Sequence, residues 1–293
     1  MKRKFAGVGV ALVTPFTREK EVDYKGLDQL VNHVVGGGVD YLVVLGTTGE
    51  SVTLNIEEKN KVVAQVIKSN AGRLPIVIGI GGNNTQELIE TMKETDFSGI
   101  DAILSASPMY NKPTQEGIYQ HYKALSKVAP RPIILYNVPG RTASNMLPET
   151  TIRLANDFKN IIGIKEASGS LEQAMKIYQG MPEGFYLISG DDALAVPFVA
   201  SGGEGVISVV ANALPKTFSN AIHLTLNNDT KSAQKEHYKV FNIINMLFEE
   251  GNPGGVKAAL QALGVCGSDV RLPLWPISDG LYNALSKALT PFK

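Results

Sequence analysis

With a single cysteine, Cys266, in 293 residues, the chain can form neither an internal disulfide nor a clustered-thiolate metal site. That scarcity fits a reducing compartment. Histidine is sparse too, and His33, His121, His223 and His237 stand far apart in the chain. Neither sign of charge is in excess, because Lys plus Arg and Asp plus Glu both number 28. No extended basic or acidic field is therefore available for nucleic acid or for an anionic membrane surface. No apolar run approaches the roughly 18 residues that a membrane-spanning helix needs. The basic start around Arg3 and Lys4 leads into a stretch that reads as a strand rather than a signal peptide. Also missing are a G-x-G-x-x-G after a strand, a P-loop, an H-E-x-x-H and a paired-cysteine motif, so nucleotide, zinc and flavin chemistry lose their usual support. A small-molecule partner is the reading that remains.

What the sequence does contain is alternation. Short β-rich apolar runs at 8–13, 41–45, 75–80, 102–105, 132–136, 161–165, 186–189 and 205–209 are separated by longer amphipathic stretches. Near-continuous apolar strands between helices argue for a parallel sheet covered on both faces. Eight such units predict closure into a (β/α)8 TIM barrel, an α/β fold that typically takes about 250 residues. Asn55 with Glu58, Asn84 with Glu87 and Ser170 with Gln173 each have the spacing of a capping box that opens a helix. After Asn212 the strand pattern stops, and helical text follows at 233–250, 256–263 and 281–289. The expected organisation is a barrel over 1–224 carrying the active site and a C-terminal helical appendix over 225–293, whose helices are joined through Gly251-Asn252-Pro253-Gly254-Gly255.

In such barrels the active site lies at the C-terminal ends of the strands, where the βα loops converge on one cavity. Lys165 closes an apolar run there. With strict period-two alternation, Ile161, Gly163 and Lys165 share one face and Ile162 and Ile164 the other, so Lys165 can point into the barrel. An apolar interior disfavours an ammonium and favours the neutral amine that attacks a carbonyl. The competing reading is a rim lysine paired with Glu166. Tyr136 ends the neighbouring strand and carries a phenol that can shuttle protons; it can equally be an aromatic core residue. Thr47 and Thr48 sit in a turn between a strand and a helix, where hydroxyls and amides can hold a carboxylate, or where they simply connect two elements. Arg141 offers a planar, permanently charged fork for a carboxylate, or is a solvated loop arginine. Asp191-Asp192 invites a Mg²⁺ reading, but with no further oxygen ligands nearby in sequence a helix cap is preferred. The glycines at 203 and 205 either approach a ligand or form a turn.

Taken in order, the segments Gly46-Thr47-Thr48-Gly49-Glu50-Ser51, Tyr136-Asn137-Val138-Pro139-Gly140-Arg141-Thr142, Gly163-Ile164-Lys165-Glu166-Ala167-Ser168 and Ser189-Gly190-Asp191-Asp192 resemble the 4-hydroxy-tetrahydrodipicolinate synthases, long called dihydrodipicolinate synthases, of the N-acetylneuraminate lyase superfamily. The resemblance runs over essentially the whole chain. It implies condensation of pyruvate with L-aspartate-4-semialdehyde in lysine and diaminopimelate biosynthesis, in the cytoplasm. Lys165 would form an imine with pyruvate, and no metal or organic cofactor would be needed. Tyr136 would transfer protons in a relay with Thr47 and with Tyr110, which reaches over from a neighbouring subunit. Thr48 would hold the pyruvate carboxylate, and the backbone of Ile207 would face the bound pyruvate. Arg141 would bind the carboxylate of the semialdehyde, with Gly190 and Asn252 lining the same side. The implied assembly is a homotetramer, a dimer of tight dimers.

Two departures from the family pattern stand out. At positions where lysine-sensitive relatives bind the effector, this chain has Ile56, Lys59 and Met109, although Asn83 and Glu87 are kept. A cationic Lys59 should repel a cationic effector, which predicts weak lysine inhibition. Gly254-Gly255 replaces the Ile-Pro common in relatives and is expected to loosen the loop carrying Asn252. The nearest rival is a sister aldolase that cleaves N-acetylneuraminate or a 2-keto-3-deoxy sugar acid with the same lysine chemistry. Arg141 weighs against it. A non-catalytic, ligand-binding barrel is the rival from another class.

Overall fold

Eight of the apolar runs fold as parallel strands: β1 (Gly7–Ala11), β2 (Tyr41–Val44), β3 (Ile76–Gly79), β4 (Ala102–Ala106), β5 (Ile133–Asn137), β6 (Ile161–Glu166), β7 (Tyr186–Ser189) and β8 (Gly205–Ser208). In the computed structural model, which describes residues 3–293, they close in sequence order into a barrel. Met1 and Lys2, included in the expected 1–224 unit, lie outside the described residues. Closure depends on a glycine. Gly205 pairs with Gly7 across the β8–β1 seam, and a Cβ on Gly205 would stand 1.9 Å from the Gly7 carbonyl oxygen. That position therefore brings backbone close to backbone rather than to a ligand.

The strands are apolar on both faces because both faces are covered. Ala11, Tyr41, Val43, Val77, Ala102, Leu104, Ile134, Ile188 and Ile207 pack together inside the barrel, while Val10, Leu42, Ile103, Ile133 and Ile164 pack outward against the helices. The helical layer comprises α1 (Tyr24–Gly36), α2 (Ile56–Asn70), α3 (Thr85–Glu94), α4 (Gln115–Ser126), the short α5 (Pro139–Thr142), α6 (Pro148–Asp157), α7 (Leu171–Gly180), α8 (Ala195–Ala200) and α9 (Pro215–Leu226). The helices α10 (Thr230–Glu249), α11 (Gly254–Ala262) and α12 (Asp279–Ala288) follow. The division we propose between barrel and appendix at 224/225 passes through the last turn of α9, whose body packs against α1, β1 and β8.

Of the three expected capping boxes one is complete. Asn55 Oδ1 accepts from the Glu58 N–H at 2.9 Å, and Glu58 Oε2 accepts from the Asn55 N–H at 3.0 Å. Arg271 binds the same Glu58 through both terminal nitrogens, which holds the carboxyl down at about 2. Asn84 and Ser170 cap their helices with their own side chains only. The Gln173 amide, which would close the third box, is drawn instead to Glu166 Oε2 at 3.0 Å and Asn145 Oδ1 at 3.1 Å.

Candidate active site

Lys165 lies at the C-terminal end of β6, 6% exposed, with its Nζ 4.3 Å from the centroid of the Tyr136 ring. The two residues are register partners across β5 and β6. Their juxtaposition has a specific cause. Ile133 pairs with Ile161 but Ile134 pairs with Gly163, so β6 carries one extra residue at its start. Continued in the first register, Tyr136 would oppose Ile164; the bulge brings it opposite Lys165 instead. This corrects the strict alternation expected from sequence. Ile161 packs in the outer cluster and Ile162 against the inner one, so Ile161 does not share the face of Lys165. The inward direction of Lys165 stands, because the bulge resets the phase before Ile164.

Glu166 is not the partner of Lys165. Its carboxylate accepts from the Ser168 N–H at 2.6 Å, from Asn137 Nδ2 at 2.9 Å and from Gln173 Nε2, all on the outer side of the strand. Asn137 and Glu166 are themselves register partners, one step beyond Tyr136 and Lys165. Among the described residues no acidic side chain forms an ion pair with Lys165, and its amine lies beside the Tyr136 ring. Gly190 makes room for it, since a Cβ there would meet Ala167 Cβ at 2.5 Å and Lys165 Cε at 3.0 Å.

Thr47 and Thr48 form a 3-10 turn with Gly49 directly after β2. Thr47 is exposed and Thr48 is buried. Thr48 Oγ1 accepts a 3.0 Å hydrogen bond from Asn252 Nδ2, while Asn252 Oδ1 is buried without a partner. Asn252 is thus brought beside Thr48 from more than two hundred positions along the chain. Ile207 is buried in β8 with its side chain in the inner cluster. Arg141 is exposed on α5, immediately after β5. Tyr110 is 87% exposed with φ +64°, and its N–H is bonded to the Thr142 carbonyl at 3.1 Å, which ties the β4 loop to the loop carrying Arg141.

The acidic pair after β7 is spent on backbone. Asp191 Oδ1 accepts from the N–H groups of Ala193 and Leu194 just ahead of α8, in the manner of a cap. Asp192 Oδ2 accepts from Val209 and Val210, which fixes the chain leaving β8. Burial pushes the Asp192 carboxyl up to about 6, opposed by those two donors. The Gly254-Gly255 pair is not part of a loose loop. Both residues are buried in the first turn of α11, and a Cβ on Gly255 would stand 2.3 Å from the Leu247 carbonyl oxygen.

The five effector-related positions lie on the surface near one another in part. Met109 donates its N–H to Asn83 Oδ1 at 2.9 Å, Glu87 is exposed in the first turn of α3, Ile56 is 69% exposed, and Lys59 is half-buried on α2. One feature of the site escaped the sequence reading: the wholly buried ion pair of Glu50 and Lys257 beneath the threonine turn. Its signal was available, since Lys257 interrupts an apolar run as Lys165 does.

The model of the dihydrodipicolinate synthetase family matches residues 4–291. A relative from Flavobacterium psychrophilum named 4-hydroxy-tetrahydrodipicolinate synthase is 56% identical over 281 residues, covering 96% of each chain. The crystal structure of dihydrodipicolinate synthase from Thermotoga maritima superposes with a TM-score of 0.96 at 39% identity, covering 99% of both chains. The chloride-inhibited dihydrodipicolinate synthase from Acinetobacter baumannii, solved with pyruvate, gives a TM-score of 0.93 at 40% identity and covers 97% of both.

Proposed function

Because the chain belongs to the dihydrodipicolinate synthetase family, we propose that it joins pyruvate to L-aspartate-4-semialdehyde through a Schiff base on Lys165. It is an enzyme of the lyase class, and the family's synthase reaction belongs to lysine and diaminopimelate biosynthesis. The observation that carries the mechanism is the placement of Lys165, buried at a strand end, over the Tyr136 ring and without an acidic partner among the described residues. The pyruvate seen with the Acinetobacter baumannii relative suggests the first substrate here.

The Lys165 amine attacks the pyruvate carbonyl, and loss of water from the carbinolamine leaves a protonated imine. That imine is an electron sink: it acidifies the pyruvate methyl group, so the enamine forms and attacks the aldehyde without a metal or organic cofactor. Tyr136 carries protons to and from these intermediates, with Thr47 and with Tyr110 of the partner subunit completing the relay. The exposure of Tyr110 in a single chain supports its use across an interface in a homotetramer built from two tight dimers. Thr48 holds the pyruvate carboxylate through hydroxyl and amide, and the Ile207 backbone faces the bound pyruvate. Arg141 receives the carboxylate of the semialdehyde beside Gly190 and Asn252. The reaction is proposed to run in the cytoplasm; no described helix is long and apolar enough to cross a membrane.

A coupled assay with pyruvate and aspartate semialdehyde, run beside N-acetylneuraminate, tests the substrate assignment. Turnover of the first pair alone supports it, and cleavage of the sugar acid without consumption of the semialdehyde overturns it.

A further inference from the structure

Glu50 is an unusual residue for its backbone. It follows the Thr47–Gly49 turn with φ +52° and ψ +34°, a left-handed conformation that favours glycine or asparagine. What keeps a glutamate there is its side chain. Glu50 Oε1 accepts from Lys257 Nζ at 2.5 Å and Oε2 from the Arg271 N–H at 3.0 Å, and its own N–H returns to the Thr47 carbonyl. Lys257 also donates to the Asp269 carbonyl at 2.7 Å and lies 4.1 Å from the Phe16 ring centroid. Neither side chain of the ion pair has any solvent exposure.

This pair has direct consequences for the candidate site. Glu50 is two residues beyond Thr48, and Lys257 is on α11, whose approach segment carries Asn252. The Asn252–Thr48 hydrogen bond therefore joins the same two pieces of chain. The barrel side of the turn is fixed separately, by the Thr14 hydroxyl donating to the Gly49 carbonyl at 2.7 Å. A turn presented to a ligand at a strand end gains from being held on both sides, since misplacement of a binding group is costly in rate.

We infer that Glu50 and Lys257 are positioning residues for pyruvate, a buried clamp that fixes the Thr48 turn against Asn252 so that hydroxyl and amide meet the carboxylate. This rests on the reading of Thr48 as the carboxylate ligand. The pair touches no substrate, and its effect falls on binding more than on the chemical steps at Lys165.

The test uses Glu50→Gln with Lys257→Met, made together so that no charge is left buried without its partner. Circular dichroism and thermal melting establish folding, amide hydrogen exchange over residues 46–53 reads the turn, and steady-state kinetics separate KM from kcat. The expected result is faster exchange in the turn and a pyruvate KM raised about tenfold, with kcat within about threefold of the parent. Adding Asn252→Ala to the pair variant should change KM little further, because both act through one contact. A folded pair variant with unchanged exchange and unchanged KM overturns the inference. Should the pair variant not fold, Glu50→Asp alone, which keeps the charge but shortens the reach to Lys257, decides: unchanged exchange over 46–53 and unchanged KM overturn it. If the parent protein does not bind pyruvate at all, the functional reading falls, while hydrogen exchange still tests the clamp.

Discussion

Tyr136 and Lys165 face each other as register partners across β5 and β6, with the lysine Nζ 4.3 Å from the ring centroid. The pairing sets the proposed proton carrier against the proposed nucleophile on two rigid strands rather than on two loops. Replacing Tyr136 by Phe keeps the buried ring and removes only the hydroxyl. The expected outcome is a kcat lower by about 10²- to 10⁴-fold with a nearly unchanged thermal midpoint. A loss of activity that tracks a loss of fold would show the hydroxyl to be structural.

Gly190 sets the space in which Lys165 moves. A methyl group there would overlap Ala167 Cβ at 2.5 Å and press on Lys165 Cε at 3.0 Å. Gly190→Ala should lower kcat/KM by about tenfold or more, since a small displacement of a reacting group is expensive. Trapping of pyruvate should slow in parallel. An alanine variant as active as the parent would place the lysine elsewhere during turnover.

Lysine should inhibit weakly or not at all. The proposed effector site of Ile56, Lys59, Asn83, Glu87 and Met109 would include the cation of Lys59, which would repel an effector carrying its own ammonium. Titration of activity with L-lysine checks this, and an inhibition constant well below about 1 mM, roughly 4 kcal/mol of binding, would contradict it. Lys59→Ala would then be expected to raise sensitivity only if Lys59 is the cause.

Acid should weaken the fold in a defined window because of His121. Burial lowers its pKa from 6.5 to about 4, with Nδ1 held near Thr85 Oγ1 at 2.8 Å. The folded protein keeps the ring neutral where the unfolded chain would protonate it. Its contribution is therefore fully present above about 6.5 and is lost as pH falls through about 4. The size is on the order of 3 kcal/mol, from about 1.4 kcal/mol per unit. Denaturant unfolding of the parent and of His121→Phe across this window should show a shallower slope in the variant; identical slopes would contradict the assignment.

Much of this architecture was legible because a strand covered on both faces writes itself as an apolar run. The strand ends fall within two residues of the expected runs, and 186–189 coincides with β7, as fraying and cap geometry allow. Helix α9 (Pro215–Leu226) went unread, because the expected helical stretches begin only at 233; Pro215 stands at its first helical position. The β6 bulge was not legible at all: Ile161, Ile162 and Gly163 carry no sign of which residue is extra, and the phase is set by pairing with β5. Two of the three capping boxes stayed half-formed, one because Glu166 recruits the Gln173 amide, a tertiary demand that local spacing does not reveal. Lys257 shows the remaining gap. It too interrupts an apolar run, though in a helix rather than at a strand end, and only the structure sets Glu50 against it and leaves Lys165 free of an acid among the described residues.

The central claim is that Lys165 forms an imine with pyruvate, and its most direct test is borohydride reduction in the presence of pyruvate followed by peptide mass spectrometry. A reduced pyruvyl adduct on the peptide containing Lys165, absent from Lys165→Ala, is the predicted result. An unmodified Lys165 after reduction with saturating pyruvate would contradict the account.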